Sequence, residues 1–140
     1  MPRYTLELPN DLKLIERSVS YLMERALEVG FAHDRLRLNL RVGITEALAN
    51  AMLYGCRGPD TRVSLLAEFT PEQITVRVTD QGSGFDPTSV EDPTTPANIR
   101  RPGGRGIFLI RQMMDQVEFN EDGNSITMIL FRSPQRSDRW

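Results

Sequence analysis

The stretch Arg41–Gly55, R-V-G-I-T-E-A-L-A-N-A-M-L-Y-G, constrains the fold more than any other part of this chain. Leu36, Leu40, Ile44, Ala47, Leu48 and Ala51 recur at helical spacing, and at roughly 100° per residue they gather into one apolar stripe. The pattern predicts one helix from near Asp34 to Tyr54, stopped at Gly55, with the stripe facing a core. Glu46, Asn50 and Tyr54 lie outside the stripe, four residues apart along its flank, where core meets solvent. A carboxylate above a carboxamide at such a boundary suits Mg²⁺ and a nucleotide, because Mg²⁺ takes oxygen ligands and keeps several waters. Taken alone, the pair reads sooner as a solvated helix edge. Glycine motifs farther along shift that balance.

A chain of 140 residues suits one domain, 1–140, with a sizeable core. Its net charge of −2 supplies no general pull toward nucleic acid or an anionic membrane. No apolar run approaches a membrane span, and the start M-P-R-Y-T-L-E-L-P lacks the basic and apolar segments of a signal peptide, so the expectation is a cytoplasmic protein. Cys56 is the only cysteine and His33 the only histidine, which leaves a disulfide framework, a Cys/His zinc site and a Cys-His nucleophilic pair poorly supplied.

In chain order, Tyr4 to Leu8 alternates as a short strand and ends at Pro9-Asn10, with Asn10 as the expected N-cap. Leu12, Ile15, Val19, Leu22, Met23, Ala26 and Leu27 then keep helical spacing until Gly30. The first two helices form a hairpin. Val63 to Phe69 and Ile74 to Thr79, separated by T-P-E-Q, read as an antiparallel strand pair. From Asp86 to Pro102 a loop rich in Pro, Asp, Thr and Ser lacks apolar periodicity, as expected of a lid, a binding loop or a disordered insertion. Gly103-Gly104-Arg105-Gly106 opens a third helix with Ile107, Phe108, Ile110, Met113 and Met114 toward the core. Val117 to Asn120 and Ser125 to Phe131 follow as strands joined around Asp122-Gly123, and the tail Ser133 to Trp140 is polar until its last residue. The order β-α-α-β-β-loop-α-β-β predicts an α/β fold of two layers, with helices on one face of a mostly antiparallel or mixed sheet.

Two motifs carry chemistry. In V-R-V-T-D-Q-G-S-G-F, Asp80 ends a strand and opens D-x-G-x-G. A carboxylate there can accept from the exocyclic amine of adenine, while Gly82 and Gly84 let the backbone turn and approach a flat ring. A plain glycine turn capped by Asp80 explains the same residues equally well. Gly103 to Gly106 offers backbone N–H groups at a helix N-terminus, which favours phosphate, and Arg105 can add a bidentate contact. This is not a phosphate loop of the G-x-x-x-x-G-K-[ST] kind, whose spacing and Lys are absent.

Together, E-x-x-x-N on a helix, D-x-G-x-G after a strand, a polar loop and a G-x-G helix start resemble the GHKL ATPase superfamily. More narrowly, E-A-L-A-N-A-M-L-Y-G, D-Q-G-S-G-F-D-P and G-G-R-G-I-F-L-I-R-Q-M-M-D-Q-V are similar to the small serine/threonine kinases that act as bacterial anti-sigma factors. The resemblance implies a two-layer α/β sandwich that binds ATP and Mg²⁺. It implies Asn50 as the Mg²⁺ ligand, Glu46 as general base, Asp80 as the adenine reader, and Gly82, Gly84, Gly104 and Gly106 as the glycines that shape the pocket; Arg105 matches the family pattern. Tyr54 departs from it, standing where many relatives carry His. The implied partners are a sigma factor and an anti-anti-sigma (STAS-type) antagonist, with a homodimer as the usual assembly and neither nucleic acid nor membrane as a partner. Two rivals differ in class: a nucleotide-dependent module that sequesters a partner without phosphorylating it, and a histidine-kinase-type catalytic domain, for which no phosphoacceptor-His helix is present.

Overall fold

The computed structural model describes residues 2–31, 34–55, 60–81 and 104–132. His33, Cys56, Gly82, Gly84, the 86–102 loop, Gly103 and the 133–140 tail lie outside the described residues. Among the described residues, five strands form one sheet in the order β1 (Arg3–Pro9), β2 (Arg62–Phe69), β3 (Gln73–Asp80), β5 (Ser125–Phe131), β4 (Gln116–Phe119). Every pairing is antiparallel, so the mixed alternative falls away. Strand alternation sends Val63, Leu65, Ala67, Phe69, Ile74, Val76, Val78, Ile126, Met128 and Leu130 to one buried face. Helices α1 (Ile15–Glu28), α2 (Asp34–Asn50) and α3 (Gly104–Met113) contribute the rest of that core, and the two-layer α/β architecture stands as expected.

All six apolar stripe positions of α2 are buried. In α1 the buried positions Ile15, Ser18, Val19, Leu22, Met23 and Ala26 keep the helical period, whereas Leu12 and Leu27 point outward at 50% and 41% exposure. Leu12 sits in a separate 3₁₀ turn, Leu12–Leu14, and Leu27 is off the stripe. The cap of that turn is Asp11 rather than Asn10: Asp11 is extended and its carboxylate accepts from the Lys13 N–H at 3.0 Å. Asn10 lies one residue earlier, just past the end of β1, with its N–H donating to the Thr61 carbonyl. At its other end α1 closes in a Schellman arrangement, Phe31 N–H to the Ala26 carbonyl and Gly30 N–H to the Leu27 carbonyl, with Gly30 at φ 90° where a side chain is strained.

The second helix departs from its sequence reading after Asn50. Ala51–Gly55 forms a wider π turn, so the four-residue row of Glu46, Asn50 and Tyr54 does not continue to Tyr54, which is 52% exposed. In α3 the buried positions are Ile107, Ile110 and Met114, while Phe108 and Met113, off that period, are only half-buried. Three contacts lock α3 and its exit. Asn39, buried on α2, donates from Nδ2 to the Met113 carbonyl at 2.8 Å, Gly43 admits the Met114 side chain, and the Asp115 carboxylate accepts from the Phe131 N–H at 2.6 Å. They run α3 antiparallel to α2 and bring its N-terminus to the C-terminal half of α2. Among the described residues, no helix is long and apolar enough to cross a membrane.

Candidate functional site

Where α2, α3, the end of β3 and the β4–β5 turn meet, a small cleft opens. Its apolar wall includes Ala47, Ala51, Val78, Ile107, Ile110 and Ile126, and Asn50 and Asp80 stand among its polar groups. An apolar cleft with a few fixed polar groups is the usual build of a small-ligand site. Alanine at 47 and 51 puts only methyl groups on the helix side of the cleft. Both positions belong to the core stripe and to the cleft wall, which the sequence pattern did not separate.

Asp80 is the last residue of β3, set opposite Val63, and its N–H donates to the Asn124 carbonyl at 2.9 Å. That carbonyl belongs to a turn organised by Asn120, whose Oδ1 accepts from the N–H groups of Asn124 and Ser125 at 3.0 and 3.1 Å and whose Nδ2 donates to Asn124 Oδ1 at 2.7 Å. Gly123 occupies φ 72° within it. Thr79 and Ser125 share a hydroxyl hydrogen bond of 2.9 Å just beside Asp80. Phe119, Gly123, Asn124 and Ser125 line the cleft too, although the sequence marks them only as a hairpin. The spacing of Asn120 and Asn124 around Asp122-Gly123 is the available signal, since Asx side chains cap their own turns.

Glu46 and Asn50 meet the first turn of α3. A Cβ built on Gly106 would lie 3.1 Å from Glu46 Oε2 and 3.8 Å from Asn50 Oδ1, so the bare backbone of Gly106 rests on both side chains. Gly104 and Arg105 precede it at the helix start, with Arg105 exposed, and the first turn carries no acidic residue of its own. The unpaired N–H groups of that turn and the helix dipole favour an anion there. The structure thus brings Asn50 and Asp80 to one cleft and sets Glu46 and the Gly106 backbone next to Asn50, whereas Glu46, Gly104, Arg105 and Gly106 are not among the cleft's lining residues. Tyr54 does not line it.

The donor chemistry fits a nucleotide with Mg²⁺. Among the described residues, no three His, Cys, Asp or Glu side chains cluster as a metal cage. Glu46 and Asn50 instead offer oxygens beside the helix start, and Mg²⁺ at nucleotide sites is held by one or two such side chains plus phosphate oxygens.

Comparison with known proteins points the same way. The serine-protein kinase RsbW of Listeria innocua is 27% identical over 134 residues, covering 90% of this chain and 85% of that protein. Serine-protein kinase RsbW of Staphylococcus epidermidis is 28% identical over 129 residues, covering 86% of this chain and 79% of its own. These relatives bear out the resemblance to the serine/threonine kinase branch. A family model described as a histidine kinase-like ATPase domain matches residues 8–130, from within β1 to within β5 and across the whole cleft, and the chain belongs to that family.

Proposed function

We propose that this protein is an ATP-dependent serine/threonine kinase that phosphorylates a small anti-anti-sigma (STAS-type) antagonist and, as an anti-sigma factor, sequesters a sigma factor. The observation that carries the reading is the seat of Gly106 on Glu46 and Asn50, which puts a carboxylate and a carboxamide at an anion-favouring helix start beside the Asp80 cleft. The names of the similar proteins support the kinase class, and the resemblance of the motifs supports the partners.

In this reading Asp80 accepts from the adenine amine while the apolar wall of the cleft covers the ring. The backbone of Gly104 and Gly106, with Arg105, receives the terminal phosphates, and Gly82 and Gly84 shape the pocket. Asn50 would hold Mg²⁺, which would neutralise phosphate charge. Glu46 takes the proton of the antagonist's hydroxyl as its oxygen bonds to the γ-phosphorus, the bond from that phosphorus to the β,γ-bridging oxygen breaks, and ADP leaves. General-base help of this kind contributes roughly 10²–10⁴-fold in rate. Positioning and charge neutralisation supply the rest. The protein works in the cytoplasm as a homodimer.

The test is incubation with ATP labelled in its γ-phosphate, Mg²⁺ and the antagonist, followed by mapping of the phosphorylated residue. Phosphoserine or phosphothreonine is expected. Phosphohistidine would favour a histidine-kinase-type catalytic domain, and nucleotide binding without transfer would leave a sequestering module.

A further inference from the structure

Gly55 ends the π turn and has no positive φ, so its own backbone conformation does not call for glycine. Its neighbour does. A Cβ built on Gly55 falls on the Asp80 carboxylate, 2.8 Å from Oδ1 and closer still to Cγ and Oδ2. The Asp80 carboxylate therefore fills the volume that any side chain at position 55 would need.

The Asp80 main chain is fixed by β-pairing to Val63 and by its bond to the Asn124 carbonyl, so the carboxylate can yield only by rotating about its two side-chain torsions. With the bare Gly55 backbone against it, it is held in the cleft that Asp80 lines. The wide turn matters as well, because it gives residues 51–55 a different angular phase from α2 and brings position 55 onto β3. Adenine presents an amine where guanine presents a carbonyl, so a carboxylate held at this point finds a donor to accept from in adenine alone.

We propose that Gly55 is a positioning residue that sets base preference by holding the Asp80 carboxylate where only a residue without a side chain can lie against it. The inference rests on the nucleotide reading of the cleft. Calorimetric titration of Mg²⁺-ATP and Mg²⁺-GTP into wild type, Gly55→Ala, Asp80→Ala and the double variant tests it. Gly55→Ala should lose roughly ten- to a hundredfold in ATP affinity, the scale of one hydrogen bond to a charged group, with GTP affinity changed less than about twofold. In the Asp80→Ala background, where the obstructing carboxylate is gone, Gly55→Ala should change nothing further. Equal losses for both nucleotides, or effects that add in the double variant, would overturn the role of Gly55. Should Gly55→Ala fail to fold, the double variant decides: melting at the temperature of Asp80→Ala supports the contact, and failure to fold overturns it. A wild-type protein that binds neither nucleotide would sink the nucleotide reading itself, a result distinct from all of these.

Discussion

Gly43 on α2 faces Met114 at the exit of α3 so closely that a Cβ there would lie 2.8 Å from Met114 Sδ and 3.7 Å from Met128 Sδ. Helix α3, whose start is the proposed phosphate site, is seated on α2 through this gap and the Asn39 bond. Gly43→Ala should cost about 1–3 kcal/mol through overpacking, partly offset by the better helix propensity of Ala. Urea denaturation measures the loss. Met114→Ala in the same chain should recover part of the strain, and a stability unchanged by Gly43→Ala would mean that the thioether simply swings aside.

Glu46→Gln keeps size and hydrogen bonding but cannot take a proton, so phosphoryl transfer should fall roughly 10²–10⁴-fold with nucleotide affinity within about twofold. Asn50→Ala, one helical turn on, should instead weaken Mg²⁺-ATP binding, because an oxygen ligand is lost. Single-turnover transfer and calorimetry, run on both variants, separate the two failures. Transfer by Glu46→Gln at the wild-type rate would remove Glu46 from the chemistry.

Gly106→Ala pits two effects against each other. Within a helix Ala is favoured over Gly by about 1 kcal/mol, yet the new methyl would sit 3.1 Å from Glu46 Oε2. Glu46 is half-buried and can shift by a few tenths of an ångström, so the melting temperature should hold or rise while transfer falls. A variant that loses stability and keeps its rate would contradict the seat described here.

Arg132 gathers distant parts of the chain. Its guanidinium donates to the carbonyls of Val29 at 2.8 Å and Gly30 at 3.0 Å, bonds the Pro71 carbonyl, and lies 4.1 Å from the Phe31 ring centroid. Charge-assisted bonds at half-exposed sites and one cation–π contact suggest a loss of about 2–4 kcal/mol for Arg132→Ala. Arg132→Lys should restore only part, since an ammonium lacks the planar fork. Nucleotide affinity of the folded fraction should not move, because the clasp lies at the opposite end of β3 and β5 from Asp80. Thermal melts with and without ATP check both halves.

The sequence carried the fold where periodicity was long and unbroken. The α2 stripe and the strand pair ending at Asp80 lie where residue spacing puts them, whereas of the core positions expected on α3 Phe108 and Met113 are only half-buried. It failed where two residues offer the same chemistry, as with Asn10 and Asp11, because both side chains are good caps and only the backbone path decides which one reaches the Lys13 N–H. The π turn was hidden because Ala51-Met52-Leu53-Tyr54 carries ordinary helix propensity, and nothing local reports a hydrogen-bond ladder that skips one residue farther. Gly55 was legible as a helix stop but not as a partner of Asp80, a contact across residues remote in sequence. Glu46, Asn50, Asp80 and Gly106 were legible as a group only because three separate motifs occurred in one order.

The change of pitch after Asn50 gives the segment two independent gears. Residues up to Asn50 are phased by the α ladder and meet the start of α3, whereas Gly55 is phased by the wider ladder and meets β3. The contacts with Asp80 and with Gly106 are therefore set by different hydrogen-bond repeats within one continuous stretch. An insertion or deletion inside 51–55 would re-index the contact with Asp80 without turning Glu46 and Asn50 away from the start of α3.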